Sequence, residues 1–180
     1  MPTILAHAAV PLALRLGLGG KAVPARLLAC GAIASMLPDL DVFGMRLGVW
    51  YGSDYGHRGV THSLLFAAVL ALAGACFHRR LRSGFVAAFL FLFAAMASHG
   101  LLDTFTNGGS GVELLWPLAR ERYFAPVRPI EVSPLGLGLF FSPRGPQVLK
   151  SEVIWVWLPA FAAGLALLAA RRRWNRPRRM

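Results

Sequence analysis

Acidic side chains are scarce in this sequence: Asp and Glu together number 8 in 180 residues, against 19 Lys and Arg. Only 15% of the residues are charged while 56% are hydrophobic, which takes the chain out of the ordinary soluble class. Cysteine is nearly absent. Cys30 and Cys76 both lie in apolar runs without CxxC or paired spacing, which weighs against a disulfide or a thiolate metal site and leaves two buried apolar thiols as the expectation. A GxSxG turn is missing, which argues against a serine hydrolase. The KxxxxxxRP and PSGH clauses of PAP2-type lipid phosphatases are missing too. No basic region precedes the first apolar run, and Ala6 to Leu18 is interrupted by His7, Pro11 and Arg15. A cleaved signal peptide is therefore not expected, and the segment is kept in the mature protein. There is no internal repeat, and one integral membrane domain over residues 1–180 is the default.

What the chain does have is long apolar blocks. Segment one runs from about Thr3 to Leu18, and segment two from Pro24 to Leu37, where Pro38 is expected to stop it. Segments three (Thr61 to Phe77) and four (Gly84 to Leu102) would each be roughly 25–29 Å long as helices, close to a hydrocarbon thickness. Segment five, Val153 to Ala170, starts with Trp155 and Trp157 as an interfacial belt. These blocks predict an all-α membrane protein with about five transmembrane or membrane-embedded helices. Between segments four and five, the Gly- and Pro-rich stretch Thr104 to Glu152 reads as one long extracytoplasmic loop, with short strands or a hairpin at Val127–Val132 and Gly138–Phe141 lying over a site as a lid.

The net charge of +11 does not read as a nucleic-acid footprint, because the basic residues flank apolar segments or form the tail from Arg171 to Arg179. Membrane lipids are the expected surroundings and no nucleic acid is expected. The short basic connections are Arg15 to Arg26, His78 to Arg82, and Arg171 onward. The positive-inside rule places all three in the cytoplasm, with the N-terminus outside and the C-terminus inside.

The few ionisable residues are concentrated in three clauses at the ends of apolar runs: Pro38-Asp39-Leu40-Asp41, His57-Arg58-Gly59-Val60-Thr61-His62-Ser63, and Ser98-His99-Gly100-Leu101-Leu102-Asp103. The topology puts every one of them on the outer face. His99 and Asp103 are four apart and share one helix face. Asp39 and Asp41 both point one way if the backbone there is extended. His57 and His62 converge if His57 occupies a turn before the helix and His62 its first turn, and Gly56 and Gly59 make such a turn easy.

Mixed imidazole and carboxylate donors suit zinc, with manganese or iron as alternatives, better than calcium or magnesium. The candidate ligands are His7, Asp39, Asp41, His57, His62, His99 and Asp103, more than one tetrahedral zinc needs, so two ions or one ion with outer supporting residues both fit. His7 is either a ligand or a helix–helix hydrogen-bonding group. Arg58 is either an oxyanion contact or the ion-pair partner of Asp41 or Asp54. The alternative to a metal is a polar cluster that locks helices together.

These clauses, in the order Ala6-His7-Ala8, Leu37-Pro38-Asp39-Leu40-Asp41, Gly56 to Ser63, Ser98 to Asp103 and Leu114-Leu115-Trp116-Pro117, resemble the YdjM-like family of bacterial inner-membrane proteins, described as metal-dependent hydrolases. The resemblance covers roughly Thr3 to Pro134. It implies a multi-pass inner-membrane protein with a divalent metal and supports His7 as a ligand. The expected function is metal-dependent hydrolysis at the outer face of the inner membrane, on a lipid-linked ester or phosphoester. Asp39, Asp41 and Arg58 are the catalytic candidates in that reading. The rival functions are a non-enzymatic metal carrier or sensor, and a structural protein whose polar clauses only lock helices.

Overall fold

The computed structural model describes residues 1–133 and 143–175. Among them the regular structure is all helical, and three helical stretches are long and apolar enough to cross a membrane: Ala25–Arg46, Phe85–Thr104 and Arg144–Trp174. Two shorter apolar helices, Ala6–Leu18 and Leu64–Ala75, complete the bundle.

A 3-10 turn at Ala6–Ala8 runs into α1 (Ala9–Leu18), where Pro11 falls in the first turn and breaks no internal ladder. Gly19, at φ 86°, ends it in a conformation that favours glycine. α2 (Ala25–Ala34) follows Pro24. Pro38 does not stop the helical path as expected. It opens a 3-10 turn, Leu37–Asp41, where its fixed φ and missing N–H are tolerated, and the path continues into α3 (Val42–Arg46).

α4 (Leu64–Ala75) has 12 residues and spans only about 18 Å, shorter than the expected Thr61–Phe77. Its start is fixed by Ser63, whose Oγ accepts the Phe66 N–H at 3.1 Å, after a separate 3-10 turn at Val60–His62. α5 (Phe85–Thr104) has 20 residues, about 30 Å. α6 (Arg144–Glu152) passes through a π turn, Val153–Trp157, into α7 (Leu158–Trp174). The wider turn relieves the clash that the Pro159 ring would make with the Trp155 carbonyl. The fifth segment thus begins nine residues before the expected Val153, and that end of the long loop is helix. The expected strand at Val127–Val132 reduces to an isolated bridge between Ile130 and Thr106, and a second bridge joins Val112 to Tyr123. Gly138–Phe141 and Arg176–Met180 lie outside the described residues.

α5 is the central post, packed by α4 and α2, while α1 packs along α7. One core holds Val23, Leu27, Ala71, Ala75, Ala88, Phe91 and Leu92. Small residues set the spacing: Ala67, Ala71 and Ala75 make a buried stripe on α4, and a Cβ on Gly164 would stand 2.6 Å from the Ala13 carbonyl oxygen. The outside is apolar, with Leu65, Val69, Leu72, Val86, Leu90, Leu158 and Leu165 exposed, while ionisable groups lie within. That inversion is what a lipid solvent requires, and this is an all-α membrane protein. Cys76 shares the outward face of α4 and is exposed, and Cys30 is half-buried, so the expectation of two buried thiols is corrected.

The basic connections meet at one end of the bundle. Arg171 donates to the Leu18 carbonyl, Arg15 to the Val23 carbonyl, and Arg26 to the Arg80 carbonyl at 3.3 Å. The three polar clauses lie at the opposite ends of α2, α4 and α5.

Candidate metal centre

The centre is assembled where those helix ends converge. His99 and Asp103 project from one face of α5, as their spacing predicts, and both are fully buried. Gly100 between them lets α5 approach the His62 turn closely, because a Cβ there would run into the His62 carbonyl oxygen. Asp39 and Asp41 sit in a 3-10 turn, not in the extended backbone that the two-residue spacing suggested. At 120° per residue they diverge, and they reach His62 from different directions. His62 and His57 do converge, the one in a 3-10 turn and the other in the preceding loop, with ring centroids 5.3 Å apart.

Two nitrogens and two oxygens face one another. His62 Nε2 lies 3.0 Å from His99 Nε2, 3.7 Å from Asp39 Oδ1 and 3.6 Å from Asp103 Oδ2, and His99 Nε2 is 3.4 Å from Asp39 Oδ1. Donor atoms bound tetrahedrally to one zinc at about 2.0–2.2 Å stand roughly 3.3–3.6 Å from each other. Two of the separations, 3.4 and 3.6 Å, fall in that range and the others, 3.0 and 3.7 Å, lie just outside it, and all but the shortest are too long for hydrogen bonds.

The outer contacts fix which ring atoms carry protons. His99 Nδ1 is 2.7 Å from the Ser35 carbonyl oxygen, which can only accept, so Nδ1 donates and the neutral ring turns a bare Nε2 inward. His62 Nδ1 lies 3.0 Å from Thr61 Oγ1 and 3.2 Å from Asp41 Oδ2, so it donates outward, and in the neutral ring Nε2 carries the inward lone pair. With both rings neutral and protonated on Nδ1, two lone pairs stand 3.0 Å apart beside two carboxylates and call for a cation. Asp39 and Asp103 have all four carboxylate oxygens buried with no hydrogen-bond partner, and both His7 ring nitrogens share that condition. Asp39, His62, His99 and Asp103 therefore form a buried group that can hold a metal ion.

Asp41, His57 and His62 form a second group behind the first. Asp41 Oδ1 accepts a hydrogen bond from His57 Nδ1 at 2.6 Å, and Oδ2 accepts from Thr61 Oγ1 at 2.7 Å and from the Arg58 backbone N–H at 3.3 Å. Asp41 thus orients His62 through Nδ1, as a carboxylate behind a metal-bound imidazole does. Arg58, at φ 68°, carries its guanidinium into the interior. Nε pairs with Asp103 Oδ2 at 3.0 Å, and the terminal nitrogens donate to the Gly108 carbonyl and Thr106 Oγ1, each at 2.8 Å. The side chain's ion-pair partner is therefore Asp103, neither Asp41 nor Asp54.

Several supporting groups carried no sequence signal. The Ser35 carbonyl is one, since any residue supplies a carbonyl. Thr106 and the Glu113–Arg122 pair, 2.8 Å apart, are others. Arg122 also donates to the carbonyls of His57 and Ser53, tying the loop to the site, while burial pushes the Glu113 carboxyl up and Arg122 pulls it back. Glu152, buried on α6, accepts from the Thr3 backbone N–H and, at 2.8 Å, from its hydroxyl, so it anchors the segment that carries His7. A carboxylate at the edge of an apolar run was a usable signal for that residue.

A family model described as YdjM inner membrane protein matches residues 1–176. The chain belongs to that family. Among its YdjM-family relatives, inner membrane protein YbcI of Escherichia coli (strain K12) is 49% identical over 174 residues, covering 96% of this chain and 100% of the relative. Inner membrane protein YdjM of the same strain is 37% identical over 116 residues, 58% of this chain and 53% of the relative. A Bacillus subtilis (strain 168) protein named YvsG is 29% identical over 103 residues, 52% of this chain and 59% of the relative. No solved structure matches. With its apolar helices, membership of the YdjM family makes this an inner membrane protein.

Proposed function

We propose that this chain binds a divalent transition-metal ion, zinc first and manganese or iron as alternatives, through Asp39, His62, His99 and Asp103, and that it hydrolyses a lipid-linked ester or phosphoester at the outer face of the inner membrane. The observation that carries the reading is the convergence of inward lone pairs and partnerless carboxylates inside an apolar bundle. The ion supplies Lewis acidity and lowers the pKa of water. Asp41 holds His62 in its ligating tautomer. It also accepts a hydrogen bond from His57 Nδ1, which leaves His57 Nε2 as an acceptor, the arrangement of a general base oriented by a carboxylate. Arg58 fixes the Asp103 carboxylate, and the loop that Arg58 and Arg122 tie down covers the site.

The meeting of the three basic connections at one end supports an outside N-terminus and a cytoplasmic C-terminus, with the centre toward the outer leaflet. Lipids are then both solvent and source of substrate. Complete burial of the four ligating groups favours a second reading, a metal that locks helices without chemistry, since closed four-ligand sites are usually structural.

Metal content by mass spectrometry on detergent-purified protein tests the proposal, comparing wild type with His62→Ala and Asp103→Ala. Bound metal lost in both variants is expected. Hydrolysis of phospholipid or isoprenoid-phosphate substrates that follows the metal then separates the enzyme from the structural reading. Well-folded wild type without metal after exposure to divalent ions would end both.

A further inference from the structure

His7 is unexplained by a single ion. It is fully buried, neither ring nitrogen has a hydrogen-bond partner, and its ring stacks on His99 at 3.6 Å between centroids with planes 20° apart. Two imidazolium cations would repel at that distance, so at least one of the stacked rings is neutral. His7 Nε2 lies 3.7 Å from Asp39 Oδ2 and 3.7 Å from Asp103 Oδ1. Those separations are too long for hydrogen bonds and near the spacing of donors that share one ion. The oxygens concerned are the ones left over: Asp39 Oδ1 and Asp103 Oδ2 are turned to the His62–His99 side.

We propose that the pocket is a two-ion centre, in which His7 Nε2, Asp39 Oδ2 and Asp103 Oδ1 hold a second divalent cation and the two carboxylates bridge it to the first. The inference rests on the metal reading above and deepens it. The position of His7 is built into the fold: Glu152 anchors Thr3, and Ala6 and Ala9 pack against Ile130 and Val156. Charge then narrows the substrate. Three side-chain carboxylates, Asp39, Asp41 and Asp103, face the Arg58 guanidinium with the Met1 amino group nearby, so two divalent ions leave the pocket net positive. A phosphoester supplies the matching anion, and a carboxylic ester does not.

The test is metal stoichiometry on purified full-length protein, stripped with chelator and reloaded with zinc, together with electron paramagnetic resonance of manganese-loaded samples. Wild type should hold two zinc ions per chain and show exchange-coupled manganese. His7→Ala and the polar His7→Asn should each hold one zinc ion and show the six-line signal of isolated manganese. One ion in wild type, or two retained in a folded His7 variant, overturns the two-ion centre while the single-metal reading stands. No metal in wild type removes both. The wild-type count decides the matter even if neither variant folds.

Discussion

Replacing Asp41 by Asn tests the tautomer logic without changing shape. In the native arrangement four hydrogens converge on this carboxylate, from His57 Nδ1, His62 Nδ1, Thr61 Oγ1 and the Arg58 backbone. An amide offers one acceptor oxygen and turns an NH2 group toward the remaining donors, whichever way it flips. If the amide faces His62, the ring either keeps Nδ1–H on Thr61 Oγ1 alone, 3.0 Å away, or moves its proton to Nε2. That proton would point at His99 Nε2, 3.0 Å away, where the ion is bound. Loss of such an outer partner costs about 10–100-fold in metal affinity. That range corresponds to about 1.4–2.7 kcal/mol. Competition with a chromophoric zinc chelator, on wild type and Asp41→Asn in the same detergent, measures the shift. Unchanged affinity in a folded variant would show that Asp41 does not set the His62 tautomer, and the assignment of inward lone pairs would fall with it.

Other consequences follow from the same contacts. Arg58→Ala leaves Asp103 buried beside an unfilled space and should cost about 3–5 kcal/mol, read as a lower unfolding temperature in detergent. Gly100→Val pushes α5 off the His62 turn, with an expected penalty of about 1–3 kcal/mol and lower zinc occupancy. Stripping the metal should lower thermal stability, by about 2.7 kcal/mol relative to protein at a free-ion concentration of 100 times Kd. Cysteine placed at the exposed Arg80, in protein lacking Cys30 and Cys76, should resist an impermeant maleimide in intact cells and react after lysis. Labelling in intact cells would reverse the proposed orientation.

The helices were legible because apolar runs of about 20 residues have few alternatives. Their ends were less so. Pro38 reads as a stop, and a 3-10 turn absorbs it. Ser63 reads as the interior of segment three, and its hydroxyl begins α4 three residues late. Arg144 to Glu152 reads as loop because polar residues interrupt the hydropathy, yet they form a helix that continues into the last span. In the site, four-residue spacing placed His99 beside Asp103 correctly, since a helix fixes that geometry. The spacing of Asp39 and Asp41 misled, because two residues apart means one face in a strand and diverging faces in a 3-10 turn. The Ser35 carbonyl and the Arg58–Asp103 pair depend on how distant segments pack, and no local pattern encodes them.

A bound metal would relieve an energetic cost that bears on the fold as much as on the chemistry. His7, Asp39 and Asp103 together place six side-chain polar atoms in the interior without hydrogen-bond partners, and one of them, Asp103 Oδ2, has an ion-pair partner in Arg58 Nε at 3.0 Å. A buried, unsatisfied polar atom costs about 1–3 kcal/mol, and more when it is charged. The other five approach the whole stability of a typical domain, about 5–15 kcal/mol. A membrane offers no water to relieve that cost, and the outward alternative is hydrocarbon. A purely structural polar cluster would be expected to close its own hydrogen bonds, as Asp41 does with His57, Thr61 and Arg58 a few ångströms away. The two kinds of carboxylate in one pocket, one fully satisfied by protein donors and two facing imidazole nitrogens, one guanidinium and the Met1 amino group, distinguish a supporting layer from a ligand layer. That division lets the outer residues be altered without removing a ligand, which is why Asp41→Asn separates metal binding from folding where Asp103→Ala cannot.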